Sequence, residues 1–306
     1  MSAAPRVSIV VSHFDRRRCL RQALDSIAAQ TWRDFEVLVV SDAGPAASAA
    51  VVAAFAAAHA GAFAVRFIRR EINGGVAATR NTGVRAARGT LVAHLDDDDL
   101  WRPGHLAALV RALDRAAGAA LAYGDADVLR MEPLSPGDGR GGRAPDGDLD
   151  PWGWRVAARL ALAVPFSATD LASDDFIVPG GMLHTRALYD AVGPFDETLY
   201  VSDDWDWLLR VFAAIGPGGF VRMAETVIEV RIWSPPAAST GSSPNLSADF
   251  GDRRRAALAA IERRHGTPPL APKTFWEVAT TYAARPCAGP KLDATFPPAR
   301  PSTDTE

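Results

Sequence analysis

The chain has 306 residues, of which 48% are hydrophobic and 23% charged, and its 33 basic and 36 acidic residues give a formal net charge of −3. This composition excludes a wholly disordered or fibrous protein, and the balanced charge argues against a nucleic-acid partner. Two cysteines, Cys19 and Cys287, are too few for a disulfide framework or a zinc cluster, so we interpret them as unrelated thiols in a reducing compartment.

Buried strands and amphipathic helices alternate over the first 130 residues. Short apolar runs rich in β-branched residues predict strands at 7–12, 35–41, 65–68, 90–95 and 121–129. Helical spacing of apolar residues predicts helices at 17–29, at 76–87 and around 106–113, with an Ala-rich helix between the second and third strands. This alternation indicates an α/β fold, with a Rossmann-like, mostly parallel sheet and helices on both faces.

The alternation stops near Met131. Residues 131–153 are rich in Pro, Gly and Asp and are predicted to form a flexible loop. Beyond the loop we predict, in chain order, a helix at 154–163, short strands at 176–178 and 182–184, a brief helix near Ala187, a helix at 205–214, a strand at 227–233 and a helix at 252–265. The Pro-rich stretch 286–306 has no periodicity and is predicted to be a disordered tail.

Two segments bear on where the protein is located. Residues 1–6 lack the basic and apolar regions of a signal peptide. The uncharged stretch 43–65 is long enough to cross a bilayer, but it is mostly Ala, is broken by Gly44, Pro45 and Gly61, and lies between predicted strands. We therefore expect a buried helix there and a soluble, cytoplasmic protein, with peripheral association with the inner membrane left open.

Polar residues follow each of the first four predicted strands. Because ligands bind beyond the carboxyl ends of the strands in a doubly wound sheet, these residues are expected to share one edge. They are Ser12, His13 and Asp15 after the first strand, Ser41 and Asp42 after the second, Asn73, Gly74 and Gly75 after the third, and Asp96–Asp99 after the fourth. Gly74 and Gly75 do not form a GxGxxG motif, and the chain has no Walker or Gly-x-Ser-x-Gly motif, which argues against a dinucleotide site and an α/β-hydrolase.

The four consecutive aspartates Asp96–Asp99 repel one another unless a cation lies among them. Carboxylates placed directly after a buried strand favour a hard divalent ion such as Mg²⁺ or Mn²⁺, bound by one or two carboxylates together with substrate phosphates. The alternative is a solvated acidic turn in which Asp99 caps the following helix.

A second acidic cluster consists of Asp203, Asp204 and Asp206, which surround Trp205 and Trp207. On a helix, Asp203 and Asp206 would share one face and Asp204 would lie at the entry of the helix. One of these carboxylates, placed beside a metal site, could act as a general base. Equally, all three could be acids at a helix N-terminus that interact favourably with the helix dipole.

Three segments, in this order, resemble the family-2 glycosyltransferases of the GT-A fold. They read VSIVVSHFDRRRCLRQALDSIAAQTWRDFEVLVVSD, NGGVAATRNTGVRAARGTLVAHLDDDDLWRP and GPFDETLYVSDDWDWLLR. The resemblance implies an enzyme that transfers a sugar from a nucleotide donor, commonly UDP-linked, to an acceptor hydroxyl with inversion at the anomeric carbon. It also implies that residues 1–130 form the nucleotide-sugar-binding half of the domain and residues 154–285 the acceptor-side half.

The resemblance assigns roles to individual residues. Those implied on the nucleotide and donor side are Ser12, His13, Phe14, Asp42, Arg80, Asp96 and Asp97. The implied ligands of a divalent metal, Mn²⁺ or Mg²⁺, are Asp98 and Asp96. The implied general base is Asp204, with Asp203 beside it, and the implied acceptor-side positions are Gly180, Gly181 and Trp205.

One position departs from the family pattern. Many members carry a His after the strand equivalent to residues 227–233, and this chain has Trp233 in its place. Ser242, Ser243 or Asn245 in the following stretch could contact phosphate, and a plain surface loop is the alternative.

Two other functions stay open on the sequence alone. A sugar nucleotidyltransferase of related sheet architecture would need a basic, Gly-rich loop after the first strand, and HFDRRR supplies Arg but no Gly. A catalytically silent nucleotide-sugar-binding protein would lack one of the acidic clusters, and both are present. The acceptor can be a polysaccharide, a lipid-linked glycan or a small metabolite, although the lack of an apparent membrane segment argues against a processive polysaccharide synthase.

Overall fold

The computed structural model describes residues 4–134, 153–233 and 251–285. Its strands are Val7–His13 (β1), Phe35–Ser41 (β2), Ala64–Arg69 (β3), Leu91–Asp96 (β4), Leu100–Trp101 (β5), Leu121–Pro133 (β6), Trp154–Leu162 (β7), Met182–Thr185 (β8) and Phe220–Trp233 (β9). Its helices are Arg17–Ala28 (α1), Ser48–Ala58 (α2), Gly75–Ala86 (α3), His105–Arg115 (α4), Ala168–Leu171 (α5), Arg186–Val192 (α6), Asp203–Ile215 (α7), Gly251–His265 (α8) and Phe275–Ala283 (α9).

One mixed sheet contains the described strands, in the order β3-β2-β1-β4-β8-β6-β9-β5, with β7 paired to β6. Strands β3, β2, β1 and β4 pair in parallel, and β8 then joins β4 and β6 in antiparallel fashion. β1 and β2 are buried at every position, which shows that both faces of the sheet are covered there. The predicted α/β fold is confirmed.

The helices follow from the spacing of apolar residues. In α1, Leu20, Leu24 and Ile27 recur at helical spacing and all three are fully buried in the main core. The Ala-rich stretch forms α2, which buries Val52 and Phe55 and leaves several alanines exposed. Within the described ranges, no helix has the length and apolar character needed to cross a membrane.

The prediction of a helix at 154–163 is wrong, because this segment is strand β7. It pairs antiparallel with β6, from Ala126 opposite Leu162 to Pro133 opposite Trp154. Its composition favours a helix, and the open edge of β6 overrides that local preference. β6 itself continues to Pro133, so the start of the predicted 131–153 loop is strand, while residues 135–152 lie outside the described part.

Other differences are smaller. Residues 176–178 form no strand, and α9 is a helix for which the sequence analysis made no prediction. α9 begins at a capping box, in which Thr274 accepts from the Glu277 N–H and the Glu277 side chain accepts from the Thr274 N–H. The predicted 234–247 loop, which contains Ser242, Ser243 and Asn245, and the predicted tail at 286–306 lie outside the described residues.

The parallel strands bring three predicted polar segments to one edge. In the register of the sheet, Ser12 of β1 lies opposite Asp96 of β4, and His13 lies opposite Ser41 of β2. The chain leaves each of these strands at the same edge, and α3 begins beside it at Gly75. This edge is where the sequence analysis expects the ligand.

A histidine pair, His94 of β4 and His184 of β8, is buried beneath that edge. Their Nε2 atoms lie 3.1 Å apart, and His184 Nδ1 donates to the Thr185 carbonyl at 3.0 Å. Burial lowers the pKa of His184 to about 4. Burial, and then the neighbouring His184, hold the pKa of His94 well below its usual range. Both rings are therefore neutral at pH 7, and the His94 N–H donates to His184.

We expect this pair to make the protein less stable in acid. The unfolded chain binds protons at these histidines below pH about 6.5 and the folded chain does not, so the stability they contribute is present above pH about 6.5 and is lost as the pH falls toward 4. His184 alone should account for about 2 kcal/mol of the free energy of unfolding lost between pH 7.5 and pH 5.

This effect can be measured by urea unfolding at pH 7.5 and pH 5. The proteins to compare are the wild type, His184→Gln and the matched control His59→Gln. The His184→Gln curve should fall less steeply than the wild-type curve, since one buried imidazole is gone, and the His59→Gln curve should parallel the wild type. Equal pH slopes for the wild type and His184→Gln would contradict the assignment.

Candidate active site

A cavity of about 370 Å³ opens at the carboxyl-end edge of the sheet. The ends of β1, β2 and β4, the starts of α3 and α7, and parts of β9, α8 and α9 line it. The cavity brings together most of the residues singled out in the sequence: Ser12, His13, Phe14, Asp42, Arg80, Asp96, Asp98, Asp203 and Asp204. It does not include Asp97, Gly180, Gly181 or Trp205.

The end of β1 forms one wall of the cavity. His13 is buried there, with Nδ1 2.6 Å from Asp97 and Nε2 2.7 Å from the Ser48 hydroxyl. Phe14 is 45% exposed at the rim, so its ring is available to stack on a flat ligand. The buried Ser12 hydroxyl has no hydrogen-bond partner among the described residues. This wall can therefore offer a ring face and a hydroxyl to a ligand.

Asp42 organises the turn that enters α3. Its carboxylate accepts from the main-chain N–H groups of Gly74 at 3.0 Å and Gly75 at 2.8 Å, and it also pairs with Arg70. Gly75 has a φ of 84°, a left-handed conformation that glycine adopts without strain. Asp42 thus lines the cavity and also holds the backbone of the neighbouring loop in place.

Arg80 connects the two acidic clusters. Its guanidinium lies 3.1 Å from Asp96 at the end of β4 and 2.9 Å from Asp203 at the start of α7. Asp203 is buried, and burial raises its pKa to about 7 even though Arg80 opposes that shift. Arg80 lines the cavity, and its partners place it between the two clusters rather than on one side.

Asp97, which the resemblance places on the nucleotide and donor side, lies behind the cavity wall and does not line the cavity. Its side chain is fully buried and contacts His13 at 2.6 Å and Arg16 at 2.5 Å. Burial alone would raise the pKa of Asp97, but Arg16 and His13 outweigh it and the pKa is lowered. Asp97 therefore anchors the end of β1 and the start of α1.

Asp98 faces the cavity from the same turn. One oxygen, Oδ2, accepts from the Trp233 indole N–H at 3.2 Å and from Arg16. Burial raises the pKa of Asp98 to about 6, and the neighbouring Asp97 and Asp96 add to that rise. Trp233, at the position where the family pattern has His, thus contacts the predicted metal ligand through a hydrogen bond.

Asp99 does not cap a helix, contrary to the alternative reading of the acidic run. α4 begins six residues later at His105, and its N-terminal cap position is Gly104. The buried Asp99 carboxylate instead accepts from the Arg231 main-chain N–H at 3.0 Å, which ties the turn to β9. Burial, and then the neighbouring Asp98, raise the pKa of Asp99 well above its usual range.

The charge of the cavity wall suits a divalent cation. Of the described residues, eight aspartates and four arginines line it. No group of three or more His, Cys, Asp or Glu side chains in the described ranges is arranged to hold an ion by itself. The donor set therefore fits a hard cation bound by one or two carboxylates and completed by substrate phosphates, as Mg²⁺ and Mn²⁺ prefer, rather than an all-protein cage.

The start of α7 separates the three acids of the second cluster. Asp204 lines the cavity and accepts from the Trp205 main-chain N–H at 3.0 Å. Asp206 is fully buried on another face, where it binds Arg264 at 2.7 Å and His265 at 2.9 Å. Asp206 thus holds α8 against α7. Asp204 lines the cavity and makes no ion pair in the described structure, so a ligand can bind it without breaking one.

The three predicted acceptor-side positions are packed in the fold and do not line the cavity. Trp205 is buried and its indole N–H donates to the Leu171 carbonyl at 2.7 Å. Gly180 accepts from the Trp101 indole N–H at 2.7 Å, and a Cβ on Gly180 would lie 2.4 Å from Ile228. Gly181 is likewise buried, and a Cβ there would lie 2.9 Å from Val178, so Gly180 allows close packing against β9 and Gly181 allows it against Val178. Pro179, next to them, lines the cavity.

Four charged residues that line the cavity were not predicted from the sequence, namely Arg16, Asp175, Arg231 and Arg254. The buried Oδ1 of Asp175 has no hydrogen-bond partner in the described structure, and neither does the buried Nε of Arg254. Burial, and then Asp204, raise the pKa of Asp175 well above its usual range. Arg16 stands in the quoted HFDRRR run, but no local pattern in the sequence marks Asp175 or Arg254.

The sequence model described as glycosyl transferase family 2 matches residues 8–137 of this chain. The succinoglycan biosynthesis protein ExoO of Rhizobium meliloti is 36% identical over 274 residues, covering 88% of this chain and 71% of ExoO. The uncharacterized glycosyltransferase YwdF of Bacillus subtilis is 28% identical over 275 residues, covering 88% of each chain.

Two solved structures share the fold. The mannosyltransferase PcManGT from Pyrobaculum calidifontis, in complex with GDP-Man and Mn²⁺, has a TM-score of 0.57 and 19% identity, covering 92% of this chain and 70% of that one. TarS 1-349 of S. aureus, in complex with UDP, has a TM-score of 0.54 and 16% identity, covering 74% of this chain. The match spans 60% of that TarS chain.

Proposed function

This chain belongs to glycosyl transferase family 2, and from that membership we propose that it moves a sugar from a nucleoside-diphosphate donor, UDP-linked, to an acceptor hydroxyl with inversion. The observation that carries the proposal is one cavity in which the acids that follow β4 face the acid at the start of α7. In this proposal residues 1–130 form the donor half and residues 154–285 the acceptor half.

The donor side of the cavity binds and orients the nucleotide. Phe14 offers its exposed ring to the base, and Ser12 offers its hydroxyl, which has no hydrogen-bond partner in the described part of the chain. Asp42 accepts a hydrogen bond from the base while it also holds the Gly74–Gly75 turn. Arg80, shared between Asp96 and Asp203, keeps the two halves of the cavity in register as the donor binds.

Asp98 and Asp96 are the residues that would hold a divalent cation, Mn²⁺ or Mg²⁺. Such an ion, when bound, stabilises the negative charge that develops on the leaving diphosphate. The protein side chains prepare that position: Arg16 and Trp233 hold one oxygen of Asp98, and Arg80 holds Asp96. More aspartates than arginines line the cavity wall. The resulting excess of negative charge favours the binding of a cation.

Asp204 acts on the acceptor as the general base. The acceptor hydroxyl attacks the anomeric carbon from the face opposite the diphosphate, and the bond to the diphosphate oxygen breaks as the new glycosidic bond forms. Asp204 takes the hydroxyl proton as that bond forms, because a neutral alcohol is a weak nucleophile. A single displacement of this kind inverts the anomeric configuration.

A donor screen tests the function. Thermal shift with Mn²⁺ and UDP-, GDP- and dTDP-sugars should show stabilisation by one nucleotide class, since binding to the folded state raises its stability. UDP and GDP both belong in the screen, because TarS is solved with UDP and PcManGT with GDP-Man. Glycan acceptors come first, since ExoO is named for succinoglycan biosynthesis.

The products then discriminate among the remaining functions. Release of nucleoside diphosphate, with a product of the opposite anomeric configuration by NMR, is the expected result. Released pyrophosphate would indicate a nucleotidyltransferase, and binding without turnover on any acceptor would indicate a silent binding protein.

We expect Asp42→Ala to weaken nucleotide binding by roughly 10–100-fold, because a hydrogen bond to a charged group contributes about 1.5–3 kcal/mol and the turn at Gly74 also loses its acceptor. Calorimetry with free UDP and GDP measures this loss. Asp34→Ala, on the segment before β2 and outside the cavity, is the control and should bind as the wild type does. Unchanged affinity in Asp42→Ala would refute the assignment of this residue to the nucleotide.

A further inference from the structure

The two oxygens of Asp98 have different surroundings. Oδ2 accepts from the Trp233 indole N–H at 3.2 Å and from the Arg16 guanidinium. Oδ1 accepts no hydrogen bond from any residue within 4–134, 153–233 or 251–285. Because Asp98 lines the cavity, one oxygen is held by the protein and the other is left to a ligand.

The donor that holds Oδ2 is itself fixed in the core. Trp233 is fully buried in a small cluster with Cys19, Leu129, Met131 and Trp154. The Trp154 ring meets the Trp233 ring edge-on, with centroids 5.1 Å apart and planes at 86°. A side chain packed this closely in a core cannot rotate freely, so the N–H of Trp233 points in one direction.

The partner of this indole differs in kind from the partners of four other indoles in the described part of the chain. Trp32, Trp101, Trp205 and Trp207 donate their N–H groups to main-chain carbonyls. In the buried Trp101, Trp205 and Trp207, such a bond satisfies a donor within the fold. Trp233 instead donates to a carboxylate on the cavity wall, where the bond also sets the direction of a second, open oxygen.

We propose that Trp233 is a positioning residue for the metal site, whose indole N–H holds Asp98 Oδ2 so that Oδ1 is presented to a divalent cation. The inference rests on the metal dependence in the proposed function. A carboxylate held on one oxygen loses less rotational freedom when the other binds an ion. Hydrogen bonds of this outer kind typically change metal affinity by roughly 10–100-fold.

Trp233→Phe removes the N–H and keeps an aromatic ring in the cluster. In the presence of UDP, and in a parallel series with GDP, Trp233→Phe should bind Mn²⁺ roughly 10–100-fold more weakly than the wild type. The free Mn²⁺ signal in electron paramagnetic resonance measures this affinity, with nucleotide alone as the blank. Trp154→Phe makes the same change in packing without touching Asp98, so it should lose stability and keep Mn²⁺ affinity.

A second measurement does not depend on the folding of Trp233→Phe. In ¹H–¹⁵N spectra, Asp98→Ala should move one indole resonance of the otherwise wild-type protein, and Asp96→Ala should move none. In the wild type, the same resonance should be the first indole signal that Mn²⁺ broadens. An indole spectrum that Asp98→Ala leaves unchanged would overturn the proposal.

The outcomes distinguish the positioning role of Trp233 from the proposed function. Wild-type Mn²⁺ affinity in Trp233→Phe, or an equal loss in Trp154→Phe, would overturn the positioning role and leave the proposed function standing. A wild-type protein that binds no Mn²⁺ with either nucleotide would overturn the metal dependence, and the role of Trp233 with it.

Discussion

Asp204→Asn is expected to lower sugar transfer by roughly 10²–10⁴-fold, the loss typical of a missing general base, while nucleotide and metal binding stay at wild-type levels. The position of Asp204 explains why only transfer should be lost. Asp204 lines the cavity from the start of α7 and takes part in no ion pair within the described structure, so its removal leaves the donor side intact. The amide keeps the shape of the side chain and can still accept from the Trp205 N–H, but it cannot take a proton at neutral pH.

Single-turnover transfer and calorimetry on the same preparations measure the two sides of this prediction. Asp203→Asn is the matched comparison, one residue away. It should lose less turnover than Asp204→Asn, because Asp203 is buried against Arg80 and its amide oxygen can still accept the hydrogen bond from Arg80 that holds the start of α7. Near-normal turnover in Asp204→Asn, or a product that retains the anomeric configuration, would remove Asp204 from the mechanism.

Asp98→Asn is expected to abolish most activity, by roughly 10²-fold or more, and to weaken Mn²⁺-dependent nucleotide binding. The substitution removes the negative charge from the open oxygen, and the amide oxygen can still accept from the Trp233 indole, so the fold should survive. In the wild type, EDTA should remove activity, and Mn²⁺ or Mg²⁺ should restore it, because the available donors are hard oxygens.

Nucleotide affinity with and without Mn²⁺, together with turnover, measures this effect. Asp25→Asn on α1 is the control, since it neutralises an exposed carboxylate that pairs only with Arg21 among the described residues, and it should behave as the wild type does. Full activity in chelator would contradict the metal requirement, even if Asp98→Asn were inactive for another reason.

The amino-acid sequence was sufficient to predict the fold and the edge at which the site lies. Apolar runs such as 35–41 are strands because they alternate with helical patterns such as 17–29, and the observed β2 and α1 match them closely. Because parallel strands end at one edge, Ser12, Asp42 and Asp96 had to meet there. The local hydrophobic pattern and the strand direction determine the fold and this edge of the sheet, and both can be inferred from the sequence.

Tertiary packing alone decided which side chains face the ligand. The local pattern of Asp96–Asp99 does not distinguish its members, and the family resemblance assigned Asp97 to the donor side. Contacts with His13 and Arg16 turn Asp97 inward and leave Asp98 on the cavity wall. The edge of β6 made residues 154–162 a strand against their helical composition.

The positions of α8 and β9 also could not be predicted from local sequence patterns. α8 delivers Arg254 to the cavity because Asp206 binds Arg264 and His265, a contact between residues more than 50 positions apart. Trp233 reaches Asp98 across 135 positions for a similar reason: β9 runs beside β6 and ends at the turn that follows β4. Such pairings depend on strand order and helix docking, which long-range burial and charge determine and which no local pattern records.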